Sequence, residues 1–298
     1  MKLFRRPDAS PSLEEMAENL LRRADAIGKL PTPIDDLIAT AQLEEPRDAE
    51  AFVQSFVKRL ATGAGETFLA AIQKVRGIAD LRQRAIYVQS DTTSPRRLFV
   101  KCHELAHQVI PWHSVNPGYR DDDLSLSANA QDMFDHEANF YSAELIFQGR
   151  HFRTRARDFA VSFDAVFQLA DQHGASRFAT LWKFVEEQDE TIAAIPYWPG
   201  YAVDQSGNPI LRQGKAVASP RFMARYADVE LPAILEARHP WSEARTASNP
   251  VAGRLNLRAG QESVLFDWES WWNGYSLLVL LRRRPSLSVV GRIVRTRV

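Results

Sequence analysis

A single cysteine among 298 residues excludes an intramolecular disulfide and suits a reducing compartment. Charge of one sign is lacking too. The 37 Lys and Arg balance the 37 Asp and Glu, and a formal net charge of zero gives no whole-chain steering onto nucleic acid or an anionic membrane. No apolar run approaches the roughly 18 residues that a membrane helix requires. The best, Tyr275 to Leu281, stops at an arginine cluster. Met1-Lys2-Leu3-Phe4-Arg5-Arg6-Pro7 is positive but has no apolar stretch behind it, so it does not read as a secretory signal. The expectation is a soluble cytoplasmic protein with no membrane partner. Hydrophobic residues at 45% and charged residues at 25% are those of a globular chain that can bury a core unaided. The length allows one large domain or two ordinary ones.

Apolar spacing predicts a helix over Ser12 to Ile27, with Ser12 and Glu15 as a capping box and Gly28 as its end. Shorter helices are expected over Ile34 to Ala41 and Ala49 to Ala61, and another over Thr67 to Ile78. The β-branched and aromatic run Arg84 to Gln89 reads as a strand. It leads through the polar turn Ser90 to Ser94 into a helix that starts at Ser94-Pro95 and stops at Pro111. An edge strand just before that helix could hold an extended peptide by backbone pairing; an ordinary sheet strand reads the same.

That helix carries His103-Glu104-Leu105-Ala106-His107. Two imidazoles four residues apart point the same way and can grip one metal ion, and the enclosed glutamate is a base beside it. At about 100° per residue, Leu98, Cys102, Leu105 and Val109 form an apolar stripe. Phe99, Ala106 and Ile110 flank the histidines, so the pair looks into an apolar interior. Two unpaired buried imidazoles would each carry a desolvation cost, which favours a metal site over a pair of core histidines. Cys102, on the stripe, reads as core and not as a nucleophile.

Catalytic zinc usually takes three protein ligands and leaves a fourth position for water. The candidates for the third lie in the helical segment Phe134 to Phe147, which closes at Gly149. Asp135 shares a face with Ala138, Asn139, Ser142 and Ile146, small enough in part to let another helix come close. The other reading of Asp135 is a solvated or capping carboxylate. Glu137 falls about 200° away, beside Tyr141 and Glu144, and reads as solvated; it is the fallback ligand. His136 lies between the faces. Asn139 is a candidate orienter of a ligand, and His113 is either a contact for a reaction intermediate or a surface histidine at a helix exit.

The segments Arg96 to His107 and Asp135 to Leu145 resemble the ImmA/IrrE family of metallo-endopeptidases, which pairs an HExxH helix with a later helix bearing an ExxAN-like motif. Leu30 to Ala39 resembles its entry segment, and the similarity runs from about residue 12 to about 187. The resemblance implies an α+β fold: a mainly helical, zincin-like metallopeptidase domain with a small sheet. It implies Zn²⁺ held by His103, His107 and Asp135, with Glu104 as general base. The substrate would be another protein, a transcriptional repressor inactivated by cleavage under stress. Position 135 departs from the pattern, since the family has glutamate there and aspartate is one methylene shorter.

Phe163 to His173 and Arg177 to Glu187 read as helix, turn, helix. A DNA-binding unit would present Arg177 and Lys183, but Phe178, Leu181, Trp182, Phe184 and Val185 leave little polar face, so packing is favoured and direct nucleic-acid binding is not expected. After the charged stretch Glu186 to Glu190, residues 192–298 are expected to form a smaller strand-rich domain following a metallopeptidase domain over 12–187. Trp268, Trp271 and Trp272 read as core or interface, and Tyr275 to Leu281 as a buried strand. The tail from Arg282 carries six arginines and no acid, a basic surface or a pair of edge strands. The alternative to an enzyme is a noncatalytic sensor or partner-binding protein on the same scaffold.

Overall fold

The computed structural model describes residues 3–46, 51–52, 54, 77–80, 84–88, 94–115, 128–204 and 207–283. Most of the helix expected over Ala49 to Ala61, the stretch 67–76, the turn residues 90–93 and the tail from 284 onward lie outside them. The chain mixes helix and antiparallel sheet in two compact units. One comprises Arg5–Phe159 and Asp164–Phe184, the other Met1–Phe4, Ala160–Phe163 and Val185–Val298.

In the first unit, α1 (Ser10–Arg23) buries Leu13, Ala17, Leu20 and Leu21, the one-sided stripe of an amphipathic helix. It starts before Ser12: Pro11, which has no N–H to leave orphaned, is tolerated in the first turn, so the expected capping box does not form. It also ends early, with Asp25 in the left-handed region at φ 49°. After α2 (Ile34–Thr40) come β1 (Gly77–Asp80) and β2 (Ala85–Val88), an antiparallel pair in register from Gly77↔Val88 to Asp80↔Ala85. The helix expected to reach Ile78 is therefore replaced by strand at its end. Glu44 bridges Ala85 on the other side of β2, with the Ile86 N–H donating to its carbonyl at 3.0 Å, so the edge read as open to a peptide is closed there.

Both strands pack on α3 (Ser94–Val109), which is followed at once by α4 (Pro111–Val115). Pro111 ends one helix and, lacking a donor, opens the next. Then come α5 (Ala128–Phe147), α6 (Arg150–Arg157), α7 (Phe163–His173) and α8 (Arg177–Glu187). α5 lies against both α1 and α3. Its last carbonyls, which have no partner within the helix, accept from elsewhere: Leu145 and Ile146 from the Thr32 hydroxyl at 3.1 Å each, and Ile146 again from His173 Nδ1 at 3.2 Å. Gln148 ties the same end to the chain at Gly28, Ala26 and Lys29.

The second unit is a curled, seven-stranded antiparallel sheet. Its strands are β3 (Thr191–Val203), β4 (Pro209–Gln213), β5 (Val217–Ala218), β6 (Ile234–Leu235), β7 (Val251–Ala259), β8 (Glu262–Trp272) and β9 (Leu277–Arg283). The order is β6-β4-β3-β9-β8-β7, with β5 also on β3. One face, with α9 (Pro220–Tyr226) and a 3₁₀ turn (Pro240–Arg245), encloses Ile195, Tyr197, Phe222, Trp241, Phe266, Trp268 and Val279. Leu277 to Leu281 are all buried, whereas Tyr275 is exposed in the turn before them. Trp268 is core, lying over Gly253 so closely that a Cβ there would stand 2.6 Å from its ring. Glu187 and Gln188, within the charged stretch read as a boundary, are buried.

Candidate metal centre

The HExxH segment lies in the last two turns of α3, and the side of the helix that packs inward carries Cys102, Leu105, Ala106, His107 and, just past its end, Ile110. This burial removes most of the solvent that would otherwise surround two imidazoles. α5 crosses beside it with Ala138 and Ser142 fully buried, and the Ser142 hydroxyl folds back onto the Ala138 carbonyl at 2.7 Å. Small side chains at that face allow the close approach of the two helices.

The consequence is a convergence of three donors. His103 Nε2 and His107 Nε2 are 3.1 Å apart, and Asp135 Oδ1 lies 3.8 Å from the first and 3.7 Å from the second. These three form the one group of potential metal ligands among the described residues, all donor atoms within 4.8 Å of one another. His136 is not part of it. Asn139, one turn beyond Asp135, accepts from His103 Nδ1 at 3.0 Å and so sets the rotation of that ring.

Two residues behave differently from expectation. His113 is not a surface histidine: it is fully buried in the middle of α4, its Nδ1 3.1 Å from His107 Nδ1. Glu137 is not solvated: it is 5% exposed and accepts from His113 Nε2 at 2.9 Å and from Trp112 Nε1 at 2.6 Å. The reason is that α5 is enclosed on more than one side, so the face of Phe134, Glu137 and Tyr141 is as buried as that of Ala138 and Ser142. Its apolar neighbours Phe134 and Tyr141, at i−3 and i+4, are the sequence signal that places Glu137 inside.

No family model matches the chain, and no curated protein does. Among solved structures, a Mycobacterium tuberculosis transcriptional regulator is similar, with 11% identity, a TM-score of 0.53, and coverage of 91% of this chain and 75% of that one. At that identity the likeness is one of fold.

The centre's electrostatics follow from burial. Loss of solvent pushes His107 down to about 2, helped by His103 and His113, and lowers His103 against the opposing pull of Asp135 and Asn139. Burial likewise lowers His113 despite its bond to Glu137. It raises Asp135, and it pushes Glu104 up to about 8, with the Asp135 charge adding to the effect. Burial also holds the Cys102 thiol far above its ordinary range, so it is no nucleophile. Neutral imidazoles with available lone pairs, beside carboxyls whose charge is disfavoured, are a donor set that a cation would stabilise.

Proposed function

We propose that the chain is a zinc-dependent endopeptidase of the ImmA/IrrE kind, with a zincin-like site, that cuts a protein substrate such as a transcriptional repressor in the cytoplasm. The observation that carries this is the convergence of His103 Nε2, His107 Nε2 and Asp135 Oδ1 around one point. Two donors each about 2.05 Å from an ion at the tetrahedral angle lie about 3.3 Å apart. The separations of 3.1, 3.7 and 3.8 Å bracket that value. Two neutral imidazoles and one carboxylate are a donor set of the catalytic zinc type, with a position left for water.

When bound, the ion supplies Lewis acidity, making water acidic near neutral pH and polarising a carbonyl. The chain does the rest. Glu104 takes a proton from the attacking water and passes it to the leaving amine nitrogen. Burial raises Glu104 to about 8 in the ion-free site, and the charge of a bound cation would pull it back toward the ionised form that a general base needs. Asn139 holds His103 in register.

The test is incubation of the zinc-loaded protein with a repressor encoded beside its gene. Wild type is expected to cut it and Glu104→Gln to bind zinc normally while cutting at least about 100-fold more slowly. Undiminished cleavage by Glu104→Gln would remove the assignment. A stable complex with uncut partner would instead support a noncatalytic binding protein on the same scaffold.

A further inference from the structure

We infer that His113 and Glu137 form a positioning relay that fixes the tautomer of His107 and so aims its Nε2 lone pair at the metal position; this rests on the metal-centre reading above. The hydrogen-bond inventory gives the direction of each link. An indole N–H only donates, so Glu137 Oε2 accepts from Trp112 at 2.6 Å and is held in place by it. The same oxygen, with the indole proton already directed at it, is placed to accept from His113 Nε2 at 2.9 Å as well, so His113 donates there. A neutral ring that donates from Nε2 has its lone pair on Nδ1. His113 Nδ1 therefore accepts across 3.1 Å, and the donor is His107 Nδ1–H. That leaves His107 Nε2 without a proton.

His103 reaches the same state by another route, because Asn139 Oδ1 accepts from its Nδ1–H at 3.0 Å. Two Nε2 lone pairs thus face each other at 3.1 Å, where neither can donate to the other. A cation between them turns repulsion into coordination. Reversing the relay would require a carboxyl proton on the oxygen that already accepts the indole N–H. His107, His113 and Glu137 are 3%, 0% and 5% exposed, so water is not at hand to substitute for a missing link. His113 touches no substrate in this scheme; it acts through His107.

The experiment reads the tautomer directly. Nitrogen-15 spectra of the metal-free wild type are expected to show His107 protonated on Nδ1; protonation on Nε2 would overturn the relay. Zinc affinity is then measured by competition with a chromophoric chelator. His113→Phe keeps a ring against Phe134, now 4.5 Å between centroids, but removes the acceptor. It is expected to bind zinc about 10- to 100-fold more weakly, with the melting of the metal-free protein little changed. Glu137→Gln, which keeps an acceptor oxygen, should retain the tautomer and lose less. An affinity for His113→Phe within twofold of wild type would overturn the proposal. If wild type binds no zinc at all, the metal-centre reading fails while the tautomer still decides the relay.

Discussion

Aspartate at position 135, one methylene shorter than glutamate, reaches within 3.7 and 3.8 Å of the imidazole nitrogens because Ala138 and Ser142 let α3 and α5 close up. Asp135→Asn removes the charge from a donor whose burial already disfavours it, and zinc affinity should fall by more than the 10- to 100-fold typical of an outer partner. Asp135→Glu should bind as well or better. Calorimetric titration of both variants checks this, and unchanged binding by Asp135→Asn would remove Asp135 from the ligand set. His103, Glu104 and His107 were legible because they share one helix, where spacing alone fixes which way side chains point. Glu137 and His113 were not, since whether a carboxylate is wet or buried depends on what covers α5 from outside its own sequence.

α5 is also pinned by Lys183 of α8, whose ammonium pairs with Glu144 where both side chains are buried. That pairing keeps Lys183 on the buried side of α8, the second element of the helix-turn-helix pattern, and not on its surface, while Arg177 lies over the Phe167 ring at 4.3 Å. Lys183→Met leaves Glu144 as a buried charge without its cation and should cost about 3–5 kcal/mol. Adding Glu144→Leu to it should recover most of that loss. Urea titrations of the single and double variants give the answer, and a single variant as stable as wild type would show the pair to be dispensable. Element types followed from periodicity more readily than element ends. α1 begins before its apparent cap, and Pro111 divides one expected stop into a stop and a start, because proline obeys two rules at once: it cannot continue a helix and it can begin one.

At the scale of the whole molecule, buried histidines tie stability to pH. His173 is 1% exposed, its Nδ1–H donates to the Ile146 carbonyl, and its Nε2 is buried without a hydrogen-bond partner among the described residues. Burial, with Arg155 nearby, lowers its pKa below the ordinary 6.5. The unfolded chain thus binds more protons between the native pKa and about 6.5, so the stabilisation is complete above 6.5 and is lost as pH falls below it. His173→Gln, which can still donate to Ile146 but cannot protonate, should make the fall in stability from pH 7 to pH 5 shallower. An unchanged slope in urea titrations would assign the effect elsewhere. The sheet unit offers a second check: Gly253→Val drives a side chain into the buried Trp268 ring and should destabilise by about 1–3 kcal/mol, with a change in tryptophan fluorescence. By itself the sequence determined the local facts: most of the helical segments, the strand-rich stretch after residue 190, and a histidine pair facing one way, because these depend on neighbours two to four residues off. Only the tertiary structure decided that an aspartate 28 positions beyond the second histidine meets that pair and that a glutamate and a histidine stand behind it, since the approach of α3 to α5 is set by packing between residues far apart in the chain.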